Sequence, residues 1–72
     1  MATEIKAHIT GTIWKIKAAV GDSIDEGDTL IIIESMKMEM PIEAQDPGTV
    51  KEVRCREGQP VTEGDVLMVI DD

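Results

Sequence analysis

Aromatic side chains are almost missing from this chain: it has no Phe, no Tyr and a single Trp, Trp14. Its core must therefore be assembled from Ile, Val, Leu, Ala and Met, and the branched aliphatics among these suit a pleated, half-buried surface better than a helix. Cysteine occurs once, at Cys55, which excludes an intramolecular disulfide and fits a reducing compartment. Long apolar runs are lacking too. The longest purely aliphatic stretch, LIII at 30–33, falls far short of the roughly 20 residues a membrane helix needs. The opening MATEIKAH has none of the apolar h-region of a secretory signal. Positive charge is the last shortage. Seven Lys and Arg stand against 15 Asp and Glu, a net charge of −8 with a pI near 4.4. Binding a phosphate backbone relies on Lys and Arg to displace counterions, so this balance disfavours nucleic acid; it favours solubility and repulsion between copies. The expectation is a soluble, cytoplasmic, monomeric protein that binds neither nucleic acid nor membrane.

What remains is organised as a repeat. The 72 residues make one small domain, 1–72, and their apolar fraction of 42% argues against disorder. Shifted by 37 positions, residues 3–34 fall on residues 40–71 without a gap. Ten of the 32 pairs are identical: Ile5/Ile42, Ala7/Ala44, Gly11/Gly48, Thr12/Thr49, Gly21/Gly58, Glu26/Glu63, Gly27/Gly64, Asp28/Asp65, Leu30/Leu67 and Ile33/Ile70. Self-similarity this regular governs the choice of fold.

The matched glycines divide each half into four short runs, TEIKA, GTIWKIKA, DSI and TLIIIE in the first and MPIEA, GTVKEVRC, QPV and VLMVID in the second. Gly21 and Gly58 mark one turn in each half, and Gly27 and Gly64 another, where glycine accepts a positive φ. Asp46, Pro47 and Gly48 read as a further turn. Pro41 is expected to begin its strand, where a missing N–H costs little. No window shows helical periodicity. The predicted fold is all-β, a flattened eight-stranded barrel-sandwich hybrid of two quasi-symmetric four-stranded halves.

The link between the halves is SMKME at 35–39, within the stretch ESMKMEM at 34–40, with one lysine, Lys37, between Met36 and Met38. Its counterpart under the 37-residue shift is where the chain ends, so the repeat predicts Lys37 at one end of the barrel and both termini at the other. A two-residue hairpin turn usually takes Asn-Gly or Asp-Gly, because both central residues need positive φ. ESMKME offers neither, so either the turn is wider than two residues or non-glycine residues hold a costly conformation; we favour the second, with Met36 and Lys37 as the central pair at positive φ.

The stretch ESMKMEMP resembles the biotin-attachment motif of the biotinyl/lipoyl domain family, whose core is Met-Lys-Met at a hairpin tip. The likeness covers the whole chain: both halves, the turns GDSIDEGD and GQPVTEGD, and the lysine midway. It implies that Lys37 carries biotin through an amide, that Met36 and Met38 are read by a biotin protein ligase, and that Glu34 frames the hairpin. It further implies a carrier that is not itself an enzyme, moving a carboxyl group between a biotin carboxylase and a carboxyltransferase of a biotin-dependent carboxylase or decarboxylase. Ser35 stands where the family more often has Ala, and Glu39 and Met40 replace a commoner apolar-Asn pair. There is no insertion for the protruding thumb of some bacterial carriers and no Ala/Pro-rich linker, so the chain reads as a free-standing carrier or a domain of a larger carboxylase. Two alternatives stay open: a lipoyl carrier of a 2-oxoacid dehydrogenase system, and an unmodified interaction domain of the same fold.

Chemistry favours a carrier independently. A flexible four-carbon stem presents an amine, and methionines offer a soft apolar surface that repacks against different partners. Elsewhere the plain readings hold. Trp14 pairs with Lys51 in the repeat and is expected to face outward; Cys55 pairs with Ala18 and reads as a small filler. His8 has no second ligand at metal spacing. The acidic residues at 25–28 and 63–65 read as solvated turn chemistry, and Lys15, Lys17, Lys51, Arg54 and Arg56 as parts of a charge-balanced flank.

Overall fold

The computed structural model describes residues 2–72 as eight strands: β1 (Ala2–Lys6), β2 (Gly11–Ile16), β3 (Ser23–Ile24), β4 (Thr29–Ser35), β5 (Met38–Glu43), β6 (Gly48–Val53), β7 (Pro60–Val61) and β8 (Val66–Asp71). No helix occurs among the described residues. The strands form two antiparallel sheets, in the orders β1-β8-β6-β3 and β5-β4-β2-β7. Moving each first-half strand to its partner in the repeat converts one order into the other, so the pseudo-twofold exchanges the sheets. Each sheet draws two strands from each half, which makes the halves interleaved rather than stacked.

The core lies between the sheets and obeys the same symmetry. Ile13 and Val50, Leu30 and Leu67, and Ile31 and Met68 are equivalent pairs, and all six are essentially sealed from solvent. Four β-bulges also come in equivalent pairs. Trp14 and Lys51 are the extra residues in β2 and β6, and Leu30 and Leu67 those in β4 and β8. A bulge adds local twist, which lets short sheets wrap around a small aliphatic core.

Four turns of one design join the strands. In residues 19–22, 25–28, 56–59 and 62–65 the fourth residue's N–H donates to the first residue's carbonyl at 3.0–3.1 Å. The third residue is glycine with φ between 88° and 96°, as a type II turn requires. The side chain of the fourth then accepts the first residue's N–H: Asp22 from Ala19, Asp28 from Asp25, Gln59 from Arg56 and Asp65 from Thr62, at 2.8–3.1 Å. Asp22, Asp28 and Asp65 are thus hydrogen-bonded parts of their turns.

Two local expectations need correction. Pro41 does not begin a strand; β5 starts at Met38 and Pro41 is its fourth residue, opposite Ile32. It is tolerated because β5 is an edge strand, where one row of N–H groups goes unpaired anyway. Gly48 is not a turn residue. It opens β6 without a positive φ, and a Cβ there would lie 2.7 Å from Ile70 Cγ2 and 2.8 Å from the Asp71 carbonyl oxygen. Close approach of β8, not turn geometry, demands that glycine.

The body measures 33 × 18 × 17 Å. β5 runs away from the β4–β5 hairpin, residues 44–47 carry the chain into the other sheet, and β6 begins beside the end of β8, with Thr49 opposite Asp71. Ala2 also pairs with Asp71. Ala2 and Asp71 therefore lie at the end opposite Lys37, where the repeat placed the chain ends.

Candidate functional site

The tip is the two-residue turn between Ser35 and Met38, which pair as the last rung of β4 and β5. Met36 and Lys37 occupy it with φ of 52° and 66°, the only non-glycine residues at positive φ among those described. Positive φ at both central positions is what a type I′ hairpin turn requires, because its twist matches that of the flanking strands. For residues bearing a Cβ this conformation costs roughly 1–2 kcal/mol each, so the β4–β5 ladder must impose it.

The turn projects its side chains outward. Met36 is 92% exposed and Met38 62%, and Lys37 between them is exposed too. Lys37 makes no ion pair or hydrogen bond to any described residue. Its amine therefore projects from a convex tip with an apolar methionine on each side. A groove between edge strands β1 and β5 lies elsewhere, and none of residues 34–40 lines it. Glu34 is exposed and stands directly opposite Glu39, one rung below Ser35 and Met38.

Below the turn, the hairpin is fixed by residues that sequence reading did not assign to it. Ser35 Oγ donates to the Thr10 carbonyl at 3.0 Å, and Thr10 Oγ1 accepts the Glu63 N–H at 3.2 Å. Gly11 opens β2 beneath the same rung: a Cβ there would collide with the Glu34 carbonyl oxygen and lie 2.9 Å from Ile33 Cγ2. The Gly11/Gly48 identity in the repeat was the available signal, and its meaning is backbone approach at both ends of the barrel. Ser35, a departure from the commoner Ala, has a hydrogen-bonding function in this protein.

The remaining sequence candidates take no part in the turn. Cys55 is half-buried and packs against the core, and burial pushes its thiol above the usual range. Trp14 is 40% exposed, with Lys15 Nζ 5.6 Å from its ring centre. His8 is exposed on a bend, and no three His, Cys, Asp or Glu among the described residues are arranged to hold a metal. Arg54 pairs with Glu52 at 3.1 Å on the open flank.

With this geometry in view, the comparisons with known proteins are specific. The family model described as Biotin-requiring enzyme, for the biotin and lipoyl attachment domain, matches residues 1–70. The biotinylated protein TB7.3 homolog of Mycolicibacterium smegmatis is 46% identical over 44 residues, 61% of this chain and 62% of that protein. The biotin/lipoyl attachment protein of Bacillus subtilis is 44% identical over 40 residues, 56% of this chain and 55% of that protein. Among solved structures, the urea carboxylase of Kluyveromyces lactis superposes with a TM-score of 0.92 at 41% identity, covering 99% of this chain and 6% of that one. A single-chain, multi-domain long-chain acyl-CoA carboxylase does so at 0.90 and 31% identity, over 94% of this chain and 7% of that one. The chain thus matches under two thirds of these relatives and a small segment of each carboxylase. Family match, fold and tip agree: the chain belongs to the biotin/lipoyl attachment domain family and is similar to segments of a urea carboxylase and a long-chain acyl-CoA carboxylase.

Proposed function

We propose that residues 1–72 form a biotin carboxyl carrier, biotinylated on Lys37, which moves a carboxyl group between a biotin carboxylase and a carboxyltransferase in the cytoplasm. The observation that carries this reading is the tip: an exposed, unpaired lysine held at φ 66° between two exposed methionines, at the end of the barrel away from Ala2 and Asp71. An amine placed there reaches an external active site without obstruction from its own domain. The methionines offer an apolar surface to a biotin protein ligase and then to the carboxylase partners, and Glu34 borders that surface.

The protein's own part is delivery, and the residues suit it. Amide formation on Lys37 Nζ removes one positive charge, taking the formal net charge from −8 to −9. Biotin, once bound, supplies the ureido nitrogen that accepts and releases the carboxyl group, chemistry that belongs to the cofactor. The strained turn keeps the attachment point rigid relative to the body, and the Ser35–Thr10–Glu63 contacts hold its base. No side chain of the carrier is asked to act as acid, base or metal ligand, so catalysis falls to its partners.

The test is intact mass after incubation with ATP, biotin and a biotin protein ligase, beside a parallel reaction with lipoate and a lipoate ligase. One biotinyl increment on the natural chain, absent from Lys37→Arg, is the expected result. A lipoyl increment alone would replace the cofactor, and no increment in either reaction would return the tip to an unmodified interaction surface.

A further inference from the structure

The pseudo-symmetry supplies an internal control, because each sheet's outer face has an equivalent on the other sheet. Across β5, β4 and β2 one outward row reads Pro41, Ile32, and then Lys15 with the bulge residue Trp14. Ile13 and Ile33, the neighbouring pair, are buried, so the alternation of the strands turns Ile32 outward; it lies half-exposed outside the core cluster. The equivalent row across β1, β8 and β6 reads Glu4, Val69, and then Glu52 with the bulge residue Lys51. There the central residue is only 5% exposed and every flanking side chain is charged. Two rows with the same backbone therefore differ in chemistry: one is solvated, the other presents Trp14, Ile32 and Pro41.

The apolar row leads toward the tip. Two rungs along, on the same face, Glu34 stands opposite Glu39, both exposed and neither ion-paired among the described residues. Like charges directly opposite one another destabilise an antiparallel pair, and a cation brought by a partner would offset that cost. Ile32 is three residues from the end of β4 at Ser35, about 10 Å along the strand at ~3.3 Å per residue, and Lys37 lies two residues farther, in the turn. A docked enzyme needs a footprint of about 800 Å² per partner, a patch roughly 30 Å across. A footprint of that size on an enzyme holding the bare Lys37 side chain is wide enough to reach this row.

Resting on the reading of Lys37 as the attachment point, we infer that the outer face of the β5-β4-β2-β7 sheet is the docking surface for the ligase that modifies it. Trp14, Ile32 and Pro41 take an apolar patch on the ligase, and Glu34 with Glu39 take a Lys or Arg beside that patch. The β1-β8-β6-β3 face stays in solvent. The ligase is favoured over later partners because it must reach an unextended lysine, whereas an attached cofactor lets them work from farther away.

Two measurements test this. On the unaltered protein, NMR titration with the biotin protein ligase is expected to broaden or shift the Trp14 indole and Ile32 methyl signals and to leave the Val69 methyls in place. In biotinylation kinetics followed by intact mass, the double variant Trp14→Lys with Pro41→Glu carries the residues that the opposite sheet tolerates at these positions. Its KM as a substrate is expected to rise about tenfold or more, as loss of a buried aromatic anchor typically does, with kcat within about twofold. Lys51→Ala and Glu4→Ala are expected to behave as the natural chain. Normal biotinylation by the double variant, or equal perturbation of both faces, would overturn the inference while leaving the carrier function intact. Concentration-dependent shifts at Trp14 without ligase would assign the row to a second copy and overturn it likewise. If the natural chain accepts no biotin, the carrier reading itself fails.

Discussion

At Met36 and Lys37 side-chain identity and backbone geometry oppose one another. Both hold a positive φ that Asn or Gly would hold at lower cost. Met36→Asn is therefore expected to stabilise the fold by up to about 1 kcal/mol in urea unfolding, while weakening ligase recognition if the methionine is read. Gly11 behaves in the opposite sense. Gly11→Ala drives a Cβ into the Glu34 carbonyl and Ile33, and is expected to cost about 2 kcal/mol or more. Gly27→Ala meets nothing within 4 Å and is strained only by its φ of +90°, so it should cost less, about 1 kcal/mol. Comparative urea melts of the two variants check that order. Cys55 gives a pH prediction with a definite sign. Its folded-state pKa is raised by burial, so above the ordinary thiol pKa the unfolded chain loses this proton first. Stability should fall as pH rises through that window, and Cys55→Ala should remove that part of the slope. Much of this scale was legible beforehand: the repeat marked the paired glycines, and the missing Asn-Gly left either a wider turn or a strained tip, of which the structure has the second. The reason Gly48 is glycine was not legible, because its collision partners, Ile70 and Asp71, are over 20 residues away.

Among the elements, the four type II turns are interchangeable parts. Each is closed by a side chain on the fourth residue, Asp in three cases and Gln in the fourth. Removing one acceptor, as in Asp28→Ala, should cost about 1 kcal/mol, and Asp28→Gln should recover part of it because Gln59 closes a turn of the same design from its fourth position. Urea midpoints of the two variants settle this. The eight strands and both glycine turns of each half were readable from the spacing of short aliphatic runs. Pro41 was misplaced because sequence alone does not show which strand is an edge, and only an edge strand admits proline at its fourth position. The tie from Ser35 to Thr10 was invisible for a similar reason. It joins residues 25 apart through a bend that carries no turn signature.

On the scale of the whole molecule, symmetry makes energetic demands that can be compared directly. Leu30 and Leu67 are equivalent bulge residues, 0% and 1% exposed. Each truncation to Ala should cost about 2–5 kcal/mol, with the two costs similar, and either takes much of the ~5–15 kcal/mol available to a small domain. Calorimetry on both variants tests whether the pseudo-twofold is energetic as well as geometric. The interleaving has one more outcome. Because each sheet takes two strands from each half, a half on its own has strands but no closed core. Cut between Met36 and Lys37, the two fragments should be unfolded apart and should assemble into the native sheets when mixed, with a midpoint set by their concentration. The peptide bond at that seam replaces this dependence with a fixed effective concentration. The lysine offered to the outside world therefore sits on the one joint that turns two interdependent half-proteins into a single chain.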